Sequence, residues 1–297
     1  IGSGLVGSEM CIRDRYRNVE KETKKLILTI GIFAVVIGGG YCALIAYTGS
    51  TVPFSSVVSE SMQHDNSRSS IGVIDTGDIV VVRDPSKTDI QSYVEGLSTG
   101  HSSFENYGSV IIYNRDGHNP VIHRAIIWLD YENGKWSSSE LKNIEDQWHC
   151  EYLGTDGKLI RGTDPDDLKG TLYFHDIYGK TPYVNLDDLE KKSGYLTMGD
   201  NDVTSPNFDQ SSGIIDHCIS LENIRSVAVF EIPWIGTVKL MMNGNENLSH
   251  VPNSLPSLIM ALITIFSILF LVDLIYMNRF NRQIQDRIGL SKGIGRR

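Results

Sequence analysis

The chain has 297 residues, of which 41% are hydrophobic and 21% charged, and its formal net charge is −9. This composition excludes a disordered chain, a collagen-like chain and, with only 4 cysteines, a disulfide-dense mini-protein. It is also too polar for a many-pass transporter. The acidic balance argues against nucleic acid as a partner, because phosphate backbones need a basic surface.

Residues 1–16 stand apart from the rest of the chain. The run IGSGLVGSEMCIRDR resembles a translated sequencing adaptor, so we exclude this segment from the fold. The native chain is then expected to begin near Tyr16 or Arg17, and residues 17–25 form a short basic flank.

Two long apolar stretches are typical of transmembrane helices. Residues 26–47 contain no charge, and residues 255–277 contain only Asp273. A bilayer core of ~30 Å needs ~20 helical residues, whereas a buried core helix needs only ~10–14. A cleavable signal peptide is the alternative for the first stretch, but its apolar region would span only ~7–15 residues. We therefore predict two membrane spans and an uncleaved anchor.

The charges divide unevenly around these spans. Residues 1–25 carry a net charge of +2, residues 278–297 carry +5, and residues 48–254 carry −15. Basic flanks stay in the cytoplasm. The pattern predicts that both termini, including the basic tail 278–297, are cytoplasmic and that 48–254 is an exterior domain at the plasma membrane.

The exterior domain is predicted to be mainly β, flanked by the two transmembrane helices. Its short β-branched runs, separated by Gly, Asp, Asn and Pro, predict strands at 55–61, 78–82, 109–113, 120–129, 170–174 and 226–232. A short helix is predicted at 186–193, and 84–108 and 130–169 read as polar loops or insertions.

The two cysteines of the exterior domain are Cys150 and Cys218. An oxidising exterior would permit a disulfide between them. Two unpaired thiols are equally consistent with the sequence, because spacing alone determines no disulfide geometry.

Three short segments contain groups suited to catalysis: 59–62, 121–124, and 199–201 followed by Asp209. Each is weak evidence by itself. Ser-x-Ser and Gly-Asp-Asn are common in turns, where these side chains bond to their own backbone, and a single histidine in a strand is usually just packed.

In their order along the exterior domain, these segments resemble type I signal peptidase, the membrane-anchored serine protease that removes signal peptides from exported proteins. The resemblance covers most of the chain except two insertions, and it runs from the first span through Ser59-Glu60-Ser61-Met62, Thr76–Val81, Ile122-His123-Arg124, Gly199-Asp200-Asn201 and Ile232–Gly236. Bacterial members carry a lysine base before the arginine. His123 stands there in this chain, which is similar to the archaeal and endoplasmic-reticulum branch with its Ser–His pair.

The resemblance implies a signal-peptidase-like β-fold and a role for each catalytic residue. Ser61 would be the nucleophile and His123 the general base, a task suited to an imidazole pKa near ~6.5. A carboxylate would orient the imidazole. We expect Asp200 in this role, from its place in Gly-Asp-Asn, with Asp209 bracing the site. Compared with the family, three extra residues separate the two aspartates, and Asp202 replaces a second Asn.

The Ser-x-Ser spacing also suggests an oxyanion site. In an extended segment, positions i and i+2 share a face, so Ser59 Oγ and the Ser61 backbone N–H could converge on the oxyanion, where one donor is worth ~3 kcal/mol. The alternative is that Ser59 only caps a turn.

Substrate binding would follow from the extended shape of a signal peptide near its cleavage site. Such a peptide can add as a strand beside 56–59 and 119–122. Val58, Val121 and Ile122 would line small pockets for an Ala-x-Ala motif, or would serve as ordinary core residues.

The partners implied are signal-peptide-bearing preproteins and the lipid bilayer, and the resemblance also allows association with the secretion translocon. We expect no cofactor and no metal, since the histidines show no ligand spacing such as HxxxH. The insertion at about 130–195 is expected to form a surface subdomain or cap. A function from another class stays open: a non-catalytic membrane-tethered β-domain acting as a sensor or assembly factor.

Overall fold

The structure, a computed structural model, describes residues 4–65, 68–115, 117–242 and 254–294. Three predicted segments lie partly outside these residues: the excluded start (1–3), the exterior domain (66–67, 116 and 243–253) and the basic tail (295–297). By its internal contacts the chain divides into two units, residues 1–53 and 54–297.

Two long helices carry the apolar stretches. Helix α1 spans Gly4–Thr48, and the last helix of the chain, α4, spans Ser254–Ile294. Among the described residues, Thr23–Thr48 and Ser254–Phe280 are long and apolar enough to cross a membrane, and their most apolar windows are not buried. The two helices are therefore consistent with a two-pass membrane protein, as the hydropathy predicts.

The region between the long helices is mainly β, as predicted. Its strands are β1 Phe54–Ser56, β2 Ile79–Arg83, β3 Ser102–Ser103, β4 Asn106–Tyr107, β5 Val110–Tyr113, β6 Val121–Glu132, β7 Lys135–Ser137, β8 Trp148–Leu153, β9 Leu159–Gly162, β10 Thr171–Phe174, β11 Tyr183–Asn185, β12 Gly194–Met198 and β13 Ile224–Ile232. Two seven-residue helices, α2 Tyr93–Thr99 and α3 Gly236–Met242, lie among them.

The main sheet has the order β1-β2-β13-β5-β6-β12, with every neighbouring pair antiparallel, and β7 extends β6 as a hairpin. A second antiparallel sheet has the order β11-β10-β8-β9, and β3 and β4 form a separate hairpin. The second sheet lies within the predicted insertion at 130–195.

Apolar side chains cover both faces of the main sheet. One cluster includes Val57, Val80 and Ile112, and another includes Ile111, Ile219 and Val227. A third and larger cluster joins residues of β6 and β12 to the insertion, through side chains such as Ile127, Leu196, Leu172 and Phe174. The insertion thus shares a continuous apolar core with the main sheet.

Two local predictions are wrong. The strand expected over 55–61 is only β1, which ends at Ser56, because the chain turns at 59–62. The helix expected at 186–193 is a turn. There the Asn185 carbonyl accepts from Asp188 N at 3.3 Å, and the Asn185 side-chain oxygen accepts from Asp187 N at 3.2 Å. Local bonds of this kind compete with a helix.

Cys150 and Cys218 are buried, free thiols, so the disulfide alternative is wrong. Both belong to the large apolar cluster shared with the insertion. Burial raises the pKa of the Cys150 thiol to about 11 and that of the Cys218 thiol to about 12. They act as small apolar core residues.

Candidate functional site

Ser61 lies in a tight turn after β1. The Gln63 amide donates to the Glu60 carbonyl at 3.1 Å and closes the turn. The Gln63 side chain donates to Thr76 Oγ1 at 2.8 Å, and Thr76 Oγ1 donates to the Ser59 carbonyl at 2.9 Å. The backbone around Ser61 is thus held from both sides, while the residue itself is half-buried.

Ser59 lies beside Ser61, with 3.1 Å between the two hydroxyl oxygens. Ser59 is exposed, so its hydroxyl is available to a group approaching Ser61. Its assignment as an oxyanion donor stays a prediction.

His123 and Asp209 form a buried pair. Nδ1 of His123 lies 2.7 Å from each carboxylate oxygen of Asp209, and the two residues are 2% and 1% exposed. No hydrogen bond to Nε2 of His123 occurs among the described residues. A proton on Nδ1 would donate to Asp209 and leave Nε2 as the free acceptor, which is the tautomer that a general base needs.

Two hydroxyl groups hold the Asp209 carboxylate in place. Tyr113 Oη and Thr197 Oγ1 donate to Asp209 Oδ2 at 2.7 and 2.6 Å. Burial, reinforced by the neighbouring Asp209, raises the pKa of Tyr113 well above its usual value, so the phenol remains a donor. These two residues come from β5 and β12, the neighbours of β6, which carries His123. Sequence reasoning assigned neither of them.

Asp200 shares no hydrogen bond with His123, so the prediction that it orients the imidazole is wrong. Its carboxylate accepts a two-pronged bond from Arg124, with 2.9 Å to Nε and 2.5 Å to Nη2. His64 Nε2 lies 3.1 Å from the same carboxylate. Successive side chains of a strand point to opposite faces, so His123 and Arg124 on β6 reach different partners. Burial alone would raise the pKa of Asp200, but Arg124 holds it well below its usual value.

Arg124 is fully buried and joins three parts of the fold. Besides the fork to Asp200, its Nη1 donates to the Ser103 and Gly108 carbonyls, both at 2.9 Å. The guanidinium therefore ties β6 to the β3–β4 hairpin and to the loop after β12. This ion pair is structural, although Arg124 directly follows His123 in the sequence.

The loop after β12 connects Ser61 with the histidine side of the site. The Asn201 amide donates to the Ser61 carbonyl at 2.9 Å, and its side-chain nitrogen donates to the Glu60 carbonyl at 2.9 Å. Met198, the last residue of β12, pairs with Arg124 on β6, and Gly199 follows it directly. A Cβ on Gly199 would lie 2.3 Å from the Ser61 carbonyl oxygen. The loop that packs against Ser61 at Gly199 also carries Asp209, which is bonded to His123.

Ser61 and His123 share no hydrogen bond among the residues that the structure describes. Ser61 Oγ is bonded to Ser59 instead. A serine hydroxyl reorients by rotation about one torsion between staggered positions.

The predicted substrate-binding residues differ in their surroundings. Val58 is 51% exposed, whereas Val121 and Ile122 are partly buried and pack on apolar clusters of opposite sheet faces. Strand β12 stops at Met198, opposite Arg124. Among the described residues, the side of 121–123 that faces away from β5 therefore carries no paired strand.

The described residues contain no group of three or more His, Cys, Asp or Glu side chains arranged to hold a metal ion. Compared with known proteins, the chain matches no protein-family model, no curated protein and no solved structure.

Proposed function

We propose that this chain is a membrane-bound serine endopeptidase of the signal peptidase type, which removes signal peptides from exported preproteins. Ser61 is the nucleophile, His123 the general base and Asp209 the residue that orients it. One observation supports the proposal: the loop after β12 packs against the Ser61 carbonyl at Gly199, and the same loop carries Asp209, which is bonded to the buried His123.

The chemistry uses the chain's own groups and water. Ser61 Oγ attacks the scissile carbonyl while its proton passes to Nε2 of His123, and the oxygen of that carbonyl becomes the oxyanion. His123 then returns the proton to the leaving amine as the peptide bond breaks. A water molecule hydrolyses the resulting ester by the same proton path. Catalytic hydrogen bonds often tighten only with substrate bound, so the Ser59–Ser61 contact suits a resting state.

The substrate and the membrane setting follow from the open strand edges and the charge distribution. An extended peptide would add as a strand at the open edge of β1 or along the unpaired side of 121–123. The −15 domain lies outside the cell membrane and the basic ends lie in the cytoplasm. Preproteins emerging from the bilayer, in association with the secretion translocon, then meet Ser61 on the outer side.

The test uses the full chain in proteoliposomes with a model preprotein that carries an Ala-x-Ala site. We expect a single cut after this site, lost in Ser61→Ala and in His123→Ala. Ser98→Ala and His175→Ala, which change residues outside this site, are the matched controls and should cleave normally. Cleavage by Ser61→Ala at the wild-type rate would show that Ser61 is not the nucleophile. A folded wild-type chain that cleaves no preprotein would favour the non-catalytic tethered domain.

A further inference from the structure

A strained turn of the insertion projects towards the loop after β12. Ile177 and Lys180 exchange two backbone hydrogen bonds, of 2.9 and 3.0 Å, around Tyr178 and Gly179. Both central residues have positive φ, 53° and 74°. Turns of this kind favour Asn-Gly, and a tyrosine in this conformation is strained. Strain that persists is held by its surroundings and often marks a functional element.

The Lys180 side chain ends among four backbone carbonyl oxygens. Its Nζ donates to the carbonyls of Gly199, Asp200, Asn201 and Ser205 at 3.0, 3.1, 2.8 and 2.9 Å. Lys180 is only 8% exposed, and Nζ also lies 5.7 Å from the centre of the Tyr178 ring. A buried ammonium with this many acceptors is a fixed part of the structure rather than a surface charge.

These carbonyls belong to the segment that holds the nucleophile. Gly199 packs against the Ser61 carbonyl, and the Asn201 amide donates to that same oxygen. The Asn201 side-chain oxygen accepts from Val203 N and Thr204 N, at 2.9 and 3.0 Å, and so closes the loop on itself. A change in the loop at 199–205 is therefore transmitted directly to the Ser61 backbone.

We propose that Lys180 is a positioning residue, whose ammonium gathers the 199–205 loop and thereby sets the position of Ser61. The proposal rests on the function proposed above, with Ser61 as nucleophile. It gives the insertion a part in the activity: the second sheet supplies the cation that the loop needs.

The protonation state of Lys180 decides how well it can do this. An ammonium has three N–H donors to share among the four carbonyl oxygens. A neutral amine has only two N–H donors, and its lone pair repels a carbonyl oxygen. Burial lowers the pKa of Lys180 to about 8, although Asp200 and Asp202 act in the opposite direction. Tyr178 is a titratable neighbour on its own turn, and Arg124 and His64 bond to the carboxylate of Asp200. Activity should therefore fall as the pH rises past about 8.

The experiment compares Lys180→Met and Lys180→Arg in the full chain, with Lys191→Met as the matched control. Lys191 belongs to the same insertion and donates to a backbone carbonyl, that of Leu186, outside the loop. The readouts are kcat and KM for the model preprotein against pH, and amide hydrogen exchange of peptides covering 199–205.

We expect Lys180→Met to lower kcat by between about 10- and 100-fold, with KM nearly unchanged, since misplacing a reacting group by ~1 Å has an effect of this size. Exchange should rise in 199–205 and not elsewhere. Lys180→Arg should keep more activity than Lys180→Met. The alkaline limb of its pH–activity profile should move up by at least about one pH unit, because arginine stays protonated.

Wild-type kcat and wild-type exchange in Lys180→Met would overturn the proposal. Exchange raised throughout the domain in both Lys180 variants would also overturn it, since Lys180 would then only fill the core. If the wild-type chain cleaves no preprotein, the proposed function fails separately, and the exchange data still decide whether Lys180 holds the loop.

Discussion

Asp209 holds His123: both of its carboxylate oxygens lie 2.7 Å from the imidazole Nδ1, and both residues are buried. Asp200, nine positions earlier, is bound to Arg124 instead. The two aspartates of the Gly-Asp-Asn region therefore have separate roles. One serves the proposed base, and the other neutralises a buried cation.

This division predicts that two matched substitutions affect different properties, one the catalytic activity and the other the folding stability. Asp209→Asn should lower kcat/KM by about 10³–10⁴-fold, because an amide no longer enforces the correct tautomer of His123. Its thermal unfolding should stay close to that of the wild type. Asp200→Asn should instead cost about 3 kcal/mol of folding stability, because Arg124 keeps its charge in a buried site. Preprotein cleavage and thermal unfolding of the same preparations measure both effects, and the reverse pattern would refute the assignment.

Arg124 should not tolerate a lysine. Arg124→Lys keeps the charge but loses the planar fork that meets Asp200, along with several of the donors that reach the Ser103 and Gly108 carbonyls. We expect the midpoint of thermal unfolding to fall by about 5–10 °C, as a loss of 2–3 kcal/mol would in a chain of this size. Arg161→Lys, at an exposed site in the second sheet, is the control. An unchanged midpoint for Arg124→Lys would contradict this prediction.

Gly199 should be required for activity because of space rather than backbone freedom. In Gly199→Ala the new Cβ would lie 2.3 Å from the Ser61 carbonyl oxygen and 2.5 Å from Ser205 Oγ. The Ser61 turn must move, so kcat should fall by between about 10- and 100-fold. The matched control is Gly162→Ala, whose Cβ would meet only the Tyr152 ring at 3.4 Å. Equal activity of the two variants would show that the turn yields without consequence.

Glu231 should make stability depend on pH. Glu231 is 4% exposed, one of its carboxylate oxygens accepts from the Gly72 amide, and the other has no hydrogen-bond partner among the described residues. Burial raises the pKa of Glu231 from 4.5 to about 7, and Asp78 acts in the same direction. The folded state therefore binds more protons than the unfolded state between these values, and stability falls as the pH rises from about 4.5 to about 7.

Glu231→Gln removes this titration. The variant should gain thermal stability relative to the wild type at pH 8 and much less at pH 4.5, so its decline across that range should be shallower. Thermal unfolding at several pH values checks the result, with Glu222→Gln at an exposed position as the control. A Glu231→Gln curve parallel to that of the wild type would show that Glu231 is ionised throughout the range.

The parts of the fold that were predictable depend on local patterns. An uninterrupted apolar run longer than a core helix needs predicts the spans, and β-branched runs predict β2, β5, β6, β10 and β13. Ser61 and His123 could be predicted as site residues because each lies in a short motif, at 59–62 and 122–124. The turn at 186–193 was missed because its charged, leucine-bearing pattern suits a helix, while the Asn185 side chain and carbonyl form competing local bonds.

What the sequence determined by itself was the separation of basic ends from an acidic β-domain, together with the residue types available for catalysis. Tertiary structure alone decided their pairing. Strand alternation sends His123 and Arg124 to opposite faces, so Asp209 and Asp200 exchange the roles expected of them. Lys180 meets the 199–205 loop only because the second sheet packs against the first. Such contacts join residues that are distant along the chain, and no local pattern encodes them.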